Sequence, residues 1–199
     1  MLYKIIMCSN NISYWNNFYN KNSLNILKKC SNFCHFVIDY FKNYNIITVL
    51  DCGCGNGRDS FRLAEIYIVT GIDNSGYILN NHYNFTFLDE NFVTINKSLY
   101  NLIYSRFSFH SISNPEQEIF LESIKTNSYL AIETRSDIDS NNLEYYGKTH
   151  YRNYTNSNYL KELLLKHNFE ILYFYEGKDI AIFETENPTC IRVICKKHI

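Results

Sequence analysis

The sequence predicts an α/β fold: a mostly parallel, seven-stranded sheet with helices on both faces and an antiparallel β-hairpin at its C-terminal end. Three observations carry this expectation. Strand-length apolar runs alternate with segments of helical periodicity between residues 46 and 167, the alternation that builds a parallel sheet. Three glycines (Gly53, Gly55, Gly57) lie within five residues, in a chain with only 7 glycines and 2 prolines among 199 residues. Two late β-branched and aromatic runs follow each other with no helical segment between them, as a hairpin requires.

In order along the chain, residues 1–45 read as helical with a loop. Ile12 to Tyr19 is aromatic-rich, and Phe33, Phe36, Val37, Tyr40 and Phe41 recur at helical spacing. Ile46 to Leu50 is a buried strand running into the glycine cluster, and Arg58 to Glu65 is a short helix leaving it. Ile66 to Ile72, Asn84 to Leu88, Leu102 to Phe107 and Ser128 to Thr134 supply the next four strands. Glu116 to Lys125 is helical, with Pro115 suited to its first turn. Asn158 to His167 is the last helix, and Glu170 to Tyr175 with Cys190 to Cys195 form the hairpin. No repeat, linker or break in composition divides the chain, so a single domain over 1–199 is expected.

Bulk composition excludes several classes. Lys and Arg number 19 against 20 Asp and Glu, a net charge of -1, which offers no basic field for nucleic acid. No apolar run approaches the roughly 20 residues of a membrane span, and the N-terminus lacks a secretory signal. A cytoplasmic location is expected. Seven cysteines without a signal peptide are expected to be reduced thiols, and neither Cys30/Cys34 nor Cys52/Cys54 has zinc-site spacing, so no metal is expected.

The stretch Val49-Leu50-Asp51-Cys52-Gly53-Cys54-Gly55-Asn56-Gly57-Arg58-Asp59-Ser60 is strand, glycine loop and helix start. No Lys follows the glycines, so it is not a P-loop, and the G-x-G-x-G spacing departs from the dinucleotide fingerprint. An acidic residue at the strand end repels a pyrophosphate and suits an ammonium group. S-adenosylmethionine carries that ammonium and no phosphate. Asp73 closes the next strand 22 residues after Asp51, where a carboxylate accepts both ribose hydroxyls.

Val49 to Ser75 resembles motifs I and II of class I S-adenosylmethionine-dependent methyltransferases, and the resemblance extends over most of the chain. Upstream it includes Tyr14-Trp15-Asn16-Asn17-Phe18-Tyr19. Downstream, Ile103 to Ile112, Glu133-Thr134-Arg135-Ser136, Tyr146-Gly147-Lys148 and His150-Tyr151-Arg152 are similar to a subgroup of tellurite-resistance-type enzymes. The resemblance implies a Rossmann-like fold and small-molecule methyl transfer with S-adenosylmethionine as cofactor. It places Asp51, Gly53, Gly55 and Gly57 at the methionine part and Asp73 at the ribose, with Asn56, Arg58, Asp59, Asn74, Ser75 and Ser105 continuing the cofactor wall. Two registers fit the adenine contact, Asp89 or Asn91 with Phe92. Tyr14, Trp15 and Tyr19 are expected to lid the cofactor, within an N-terminal segment (1–45) that covers the site.

Transfer to a hydroxyl also needs a proton acceptor, and His110 and His150 are the candidate catalytic residues. Arg106, Glu133, Arg135, Tyr146, Tyr151 and Arg152 are candidate acceptor contacts. They point to a polar, anionic small molecule, with a sugar or nucleotide-sugar hydroxyl as the expected target, possible glycan included. A thiol, amine or metalloid acceptor, RNA or protein methylation, and a non-catalytic cofactor-binding domain are the alternatives. The sequence leaves oligomeric state open.

Overall fold

A computed structural model describes residues 12–20, 29–142, 151–183 and 185–199. An aromatic-rich helix over 12–20 (α1) comes first, and α2 (Asn32–Phe41) follows. Ser31 caps α2, its hydroxyl accepting from the Cys34 N–H at 3.0 Å. Next come β1 (Thr48–Cys52), α3 (Arg58–Ala64), β2 (Ile68–Ile72), β3 (Phe85–Leu88) and β4 (Leu102–Arg106). Then α4 (Asn114–Glu122), β5 (Tyr129–Arg135), α5 (Ser157–Lys166), β6 (Phe169–Gly177) and β7 (Cys190–Lys197) complete the order. α4 begins two residues before the expected start, because Ser113 and Glu116 form a capping box around Pro115.

The seven strands form one sheet in the order β3-β2-β1-β4-β5-β7-β6. β3, β2, β1, β4 and β5 are parallel, and β7 pairs antiparallel with both β5 and β6. The expected hairpin is therefore present, with its second strand inserted between β5 and the first. Side-chain alternation along each strand divides the core into two clusters. Val49, Val69, Leu102, Tyr104 and Ala131 meet α2 and α3 on one face. Leu50, Ile72, Ile103, Leu130 and Ile132 meet α4 and α5 on the other.

The connections between β2 and β3 and between β3 and β4 hold no helix. That difference from a regular alternation leaves 73–84 and 89–101 as irregular backbone beside the carboxyl edge. Two short 3-10 turns, Phe109–Ser111 and Asp137–Asn142, follow β4 and β5 and were not foreseeable from periodicity. Strand order reverses between β1 and β4, and in open sheets of this kind the crevice outside that point takes ligands. Among the described residues no helix is long and apolar enough to cross a membrane.

Candidate functional site

At the carboxyl edge, Asp51 is the penultimate residue of β1 and Asp73 directly follows β2, both buried. The Gly53 and Cys54 N–H groups donate to the Ile72 carbonyl at 2.8 and 3.1 Å, folding the glycine loop back over the end of β2. Gly55, at φ +56, aims its N–H at Asp73 Oδ2, 2.9 Å away, while Ser75 N–H donates to Oδ1 at 2.8 Å. The Asp73 carboxylate is thus fixed by two backbone donors, and about two of its four acceptor positions stay open. Ser75 Oγ, buried on the same wall, has no hydrogen-bond partner among the described residues.

The glycines serve protein neighbours as well as a ligand. A Cβ on Gly53 would meet Ser108, one on Gly55 would run into the Tyr19 hydroxyl, and one on Gly57 would meet Leu79 and Phe61. Gly57 (φ +76) also turns the chain into α3. Tyr19 reaches the loop from α1, stacks with Trp15 and tilts against Tyr77 at 5.8 Å. Burial and then the nearby Asp73 charge hold its phenol well above the ordinary range.

Asp51 accepts from Ser60 Oγ at 2.6 Å, but burial, reinforced by Asp59 and Asp73, raises its pKa to about 8. Asp59, four residues after Gly55 and buried, accepts from Ser31 N–H (2.6 Å), Ser31 Oγ (2.7 Å) and Tyr104 OH (2.7 Å). It ties α2, α3 and β4 together at the base of the site.

The glycine loop, Asp73, α1 and the ends of β4 and β5 enclose a cavity of about 1240 Å3. That exceeds the roughly 300–1,000 Å3 of a usual small-molecule site, so it has room for two ligands. Asp51, Asp59 and Asp73 lie on its wall with Asn56, Arg58, Asn74 and Ser75. Asn91 and Phe92 also face it, with Asn91 Oδ1 accepting from Val93 N–H at 2.9 Å. Asp89 is exposed at the end of β3 and off the wall.

The wall also carries aromatic and basic residues: Tyr14, Trp15 and Phe18 of α1, with Phe107, Arg106, Arg135, Tyr151 and Arg152. Arg106 is held by Glu133, its Nε donating to Oε1 at 2.9 Å, while Arg192 Nε donates to Oε2 at 2.7 Å. These three residues sit side by side on β4, β5 and β7. Burial opposes the charge of Arg106, but Glu133 and Asp59 outweigh it and hold the guanidinium above its ordinary pKa. Glu133 itself is fully buried and behind the wall. Burial and the adjacent Arg135 lower the pKa of Arg152.

Ser105 is buried beneath the wall, its hydroxyl 2.7 Å from that of Ser108. His110 is also buried and off the wall. Its Nδ1 accepts the Arg135 N–H at 3.3 Å and lies 3.1 Å from Thr134 Oγ1. Tyr146 and His150 lie outside the described residues. Among the described residues no group of His, Cys, Asp or Glu is arranged to hold a metal ion.

Two features of the wall carried no sequence signal. Phe107 adopts φ +57, a conformation that a bulky side chain rarely takes, because its N–H is bound to the Glu133 carbonyl at 2.8 Å and its ring packs under Arg106 at 4.5 Å. The segment between β6 and β7 contributes Ala181, Phe183 and Glu186 to the wall.

The wall around Asp51, Asp73 and Ser75 fits a nucleoside that carries a cation. It offers two open acceptor positions on Asp73, an unpartnered buried hydroxyl on Ser75 and a carboxylate at Asp51 whose burial a positive group would offset.

A family model described as a methyltransferase domain matches residues 24–173. No curated protein matches the chain. Solved structures similar to it include a SAM-dependent methyltransferase from Methanosarcina mazei, with TM-score 0.66, 19% identity and coverage of 81% of this chain and 97% of that one. A 1,6-didemethyltoxoflavin-N1-methyltransferase from Burkholderia thailandensis, bound to 1,6-didemethyltoxoflavin and S-adenosylhomocysteine, has TM-score 0.72 and 13% identity over 99% of this chain and 89% of that one. TehB from Haemophilus influenzae has TM-score 0.61 and 19% identity over 82% of this chain and 62% of that one. At these identities the structural likeness speaks to fold.

Proposed function

The chain belongs to the S-adenosylmethionine-dependent methyltransferases, and from that premise we propose that it methylates a small, polar, anionic acceptor, with a sugar or nucleotide-sugar hydroxyl as the target. S-adenosylmethionine is the cofactor, and when bound it supplies a methyl group already activated on a sulfonium. The residues of the chain then have to bind, orient and exclude water.

In this assignment Asp73 receives the ribose hydroxyls, Ser75 Oγ gains the partner it lacks, and Asp51 faces the ammonium. Asn91 and Phe92, on the wall, take the adenine register in preference to Asp89, which is off it. In the same assignment α1 covers the cofactor through Tyr19, which seats on Gly55, and reaches the acceptor through Tyr14 and Trp15 near its start.

The observation that carries the acceptor class is the cluster of arginines on the cavity wall, Arg106 and Arg135 at 4.5 and 5.6 Å from the Phe107 ring, with Arg152 and Tyr14 in the field of Arg135. Rings stack on a base or a sugar face, and guanidiniums recognise phosphate or carboxylate. With Nδ1 accepting a backbone N–H, the neutral His110 ring carries its proton on Nε2, so we assign it to positioning Arg135 and keep His150 as the candidate base.

Conversion of S-adenosylmethionine to S-adenosylhomocysteine, followed with UDP-sugars, sugar acids, thiols, amines, tellurite and short RNAs, tests the assignment. Turnover confined to the sugar compounds is expected. Turnover only of a thiol, an amine or a metalloid would overturn the acceptor while leaving the methyltransferase intact.

A second acceptor class has its own support. Trp15, Phe18 and Phe107 would also sandwich a planar heterocycle, and a ring nitrogen needs no strong base. The Burkholderia enzyme acts, by its name, at N1 of 1,6-didemethyltoxoflavin. Bicyclic nitrogen heterocycles added to the same panel decide between the two.

A further inference from the structure

The segment joining β6 to β7 is a built strap. Asp179 and Asn187 close its base, with Asp179 N–H donating to Asn187 Oδ1 (2.9 Å) and Asn187 Nδ2 donating to Asp179 Oδ1 (2.7 Å). Phe183 and Glu186 exchange backbone hydrogen bonds of 3.0 and 2.8 Å across its tip. Arg192 donates to the Ile180 carbonyl (2.8 Å), and Thr189 donates to both oxygens of Asp139. Anchored this way, the strap brings Glu186 to the cavity wall, where Arg135 Nη2 donates to Glu186 Oε2 at 2.6 Å. Both side chains are largely buried, at 14% and 20% exposure, so water screens the pair weakly.

The same arginine lies 5.6 Å from the Phe107 ring and close enough to Arg152 for the two cations to disfavour each other. Tyr14 of α1 lies in the field of all three charged groups. A carboxylate supplied by the protein therefore stands where two guanidiniums and an aromatic ring would otherwise hold an anion of the acceptor.

We propose that Glu186 is a resident counter-ion of an anion subsite formed by Arg135 and Arg152, and that an anionic acceptor must displace it to bind. The class of ligand is a phosphoryl or carboxylate group carried by a small molecule. Glu186 then determines specificity, since an acceptor without an anion cannot compete for Arg135, and one with an anion binds less tightly than the arginines alone would allow. This rests on the part of the wall around Arg135 and Arg152 being the acceptor side.

The test is calorimetric titration of inorganic pyrophosphate and of uridine diphosphate into the protein saturated with S-adenosylhomocysteine, for the unmodified chain, Glu186→Gln and Arg135→Gln. Glu186→Gln is expected to tighten both anions about tenfold, within the range of typical site-to-site coupling. It should leave S-adenosylhomocysteine affinity unchanged, which also shows that the variant folds. Arg135→Gln should weaken both anions. Anion affinity that is the same with and without the Glu186 carboxylate, or no anion binding even in Glu186→Gln, overturns the proposal. The nucleotide-sugar assignment fails separately, if pyrophosphate responds as expected and uridine diphosphate binds no better than pyrophosphate.

Discussion

Replacing Asp73 by alanine tests the cofactor end most directly. The carboxylate receives two backbone N–H donors, from Gly55 at 2.9 Å and Ser75 at 2.8 Å, and two acceptor positions remain for the two ribose hydroxyls. A hydrogen bond to a charged group contributes about 1.5–3 kcal/mol. Loss of two such bonds costs about 3–6 kcal/mol, and at about 1.4 kcal/mol per decade that is roughly a hundred- to ten-thousandfold in affinity. The Gly55 and Ser75 donors lose their partner as well, which loosens the loop and pushes the loss toward the upper end. S-adenosylhomocysteine binding by calorimetry reads the effect, with thermal melting to show that Asp73→Ala remains folded. Asp73→Asn keeps one acceptor oxygen and should fall between the two. A folded Asp73→Ala protein whose dissociation constant stays within about threefold of the unmodified chain would refute the ribose assignment.

The other expectations follow from neighbouring geometry. Gly55→Val puts a β-branched residue at φ +56 and a methyl-bearing Cβ against Tyr19, so it should lose S-adenosylhomocysteine binding and melt lower, by an amount set by about 1–3 kcal/mol of backbone strain. Gly55→Ala should lose less of both, and calorimetric affinity unchanged in the valine variant would count against the loop. Asp59→Ala strands three buried donors, at Ser31 N–H, Ser31 Oγ and Tyr104 OH, and should destabilise the fold by about 3–5 kcal/mol. In a domain of this size that lowers Tm by roughly 10 °C, and a shift under about 3 °C would show the hub to be dispensable.

Asp51 has its pKa raised to about 8 by burial, far above the usual carboxylate range, so between about pH 4 and 8 the folded chain holds a proton that the unfolded chain has lost. Its contribution to stability is therefore present below the unfolded pKa and lost as pH rises toward 8. Melting curves from pH 5 to 8.5 should show that decline in the unmodified chain and a flatter profile in Asp51→Asn, and parallel profiles would exclude it.

The features legible in the sequence are those whose physical cause is local. The glycine loop sits next to the strand and helix it joins, and Asp73 closes a β-branched run one crossover later. Both could be placed because strand, turn and helix start each have short-range chemistry. The expected strands agree with the observed ones to within about two residues at their ends, and the helix α4 starts two residues early because Ser113 and Glu116 cap it. The acceptor side was read less well. Arg106, Arg135, Tyr151 and Arg152 lie on the cavity wall, whereas Glu133 sits behind it between Arg106 and Arg192. That difference arises because Glu133 lies between two arginines in register across three strands, and register depends on pairing, which spacing in one strand does not reveal.

By itself, then, the sequence determined the parallel sheet, the glycine loop and the spacing of Asp51 and Asp73, since hydrophobic period and turn chemistry act over a few residues. Only the tertiary structure decided that β7 inserts between β5 and β6, that Tyr19 seats on Gly55, that His110 takes the Arg135 N–H and that Glu186 reaches Arg135 from 51 positions away. Those contacts exist because distant segments pack together around the carboxyl edge, where burial makes each charge depend on the partner that the fold brings to it.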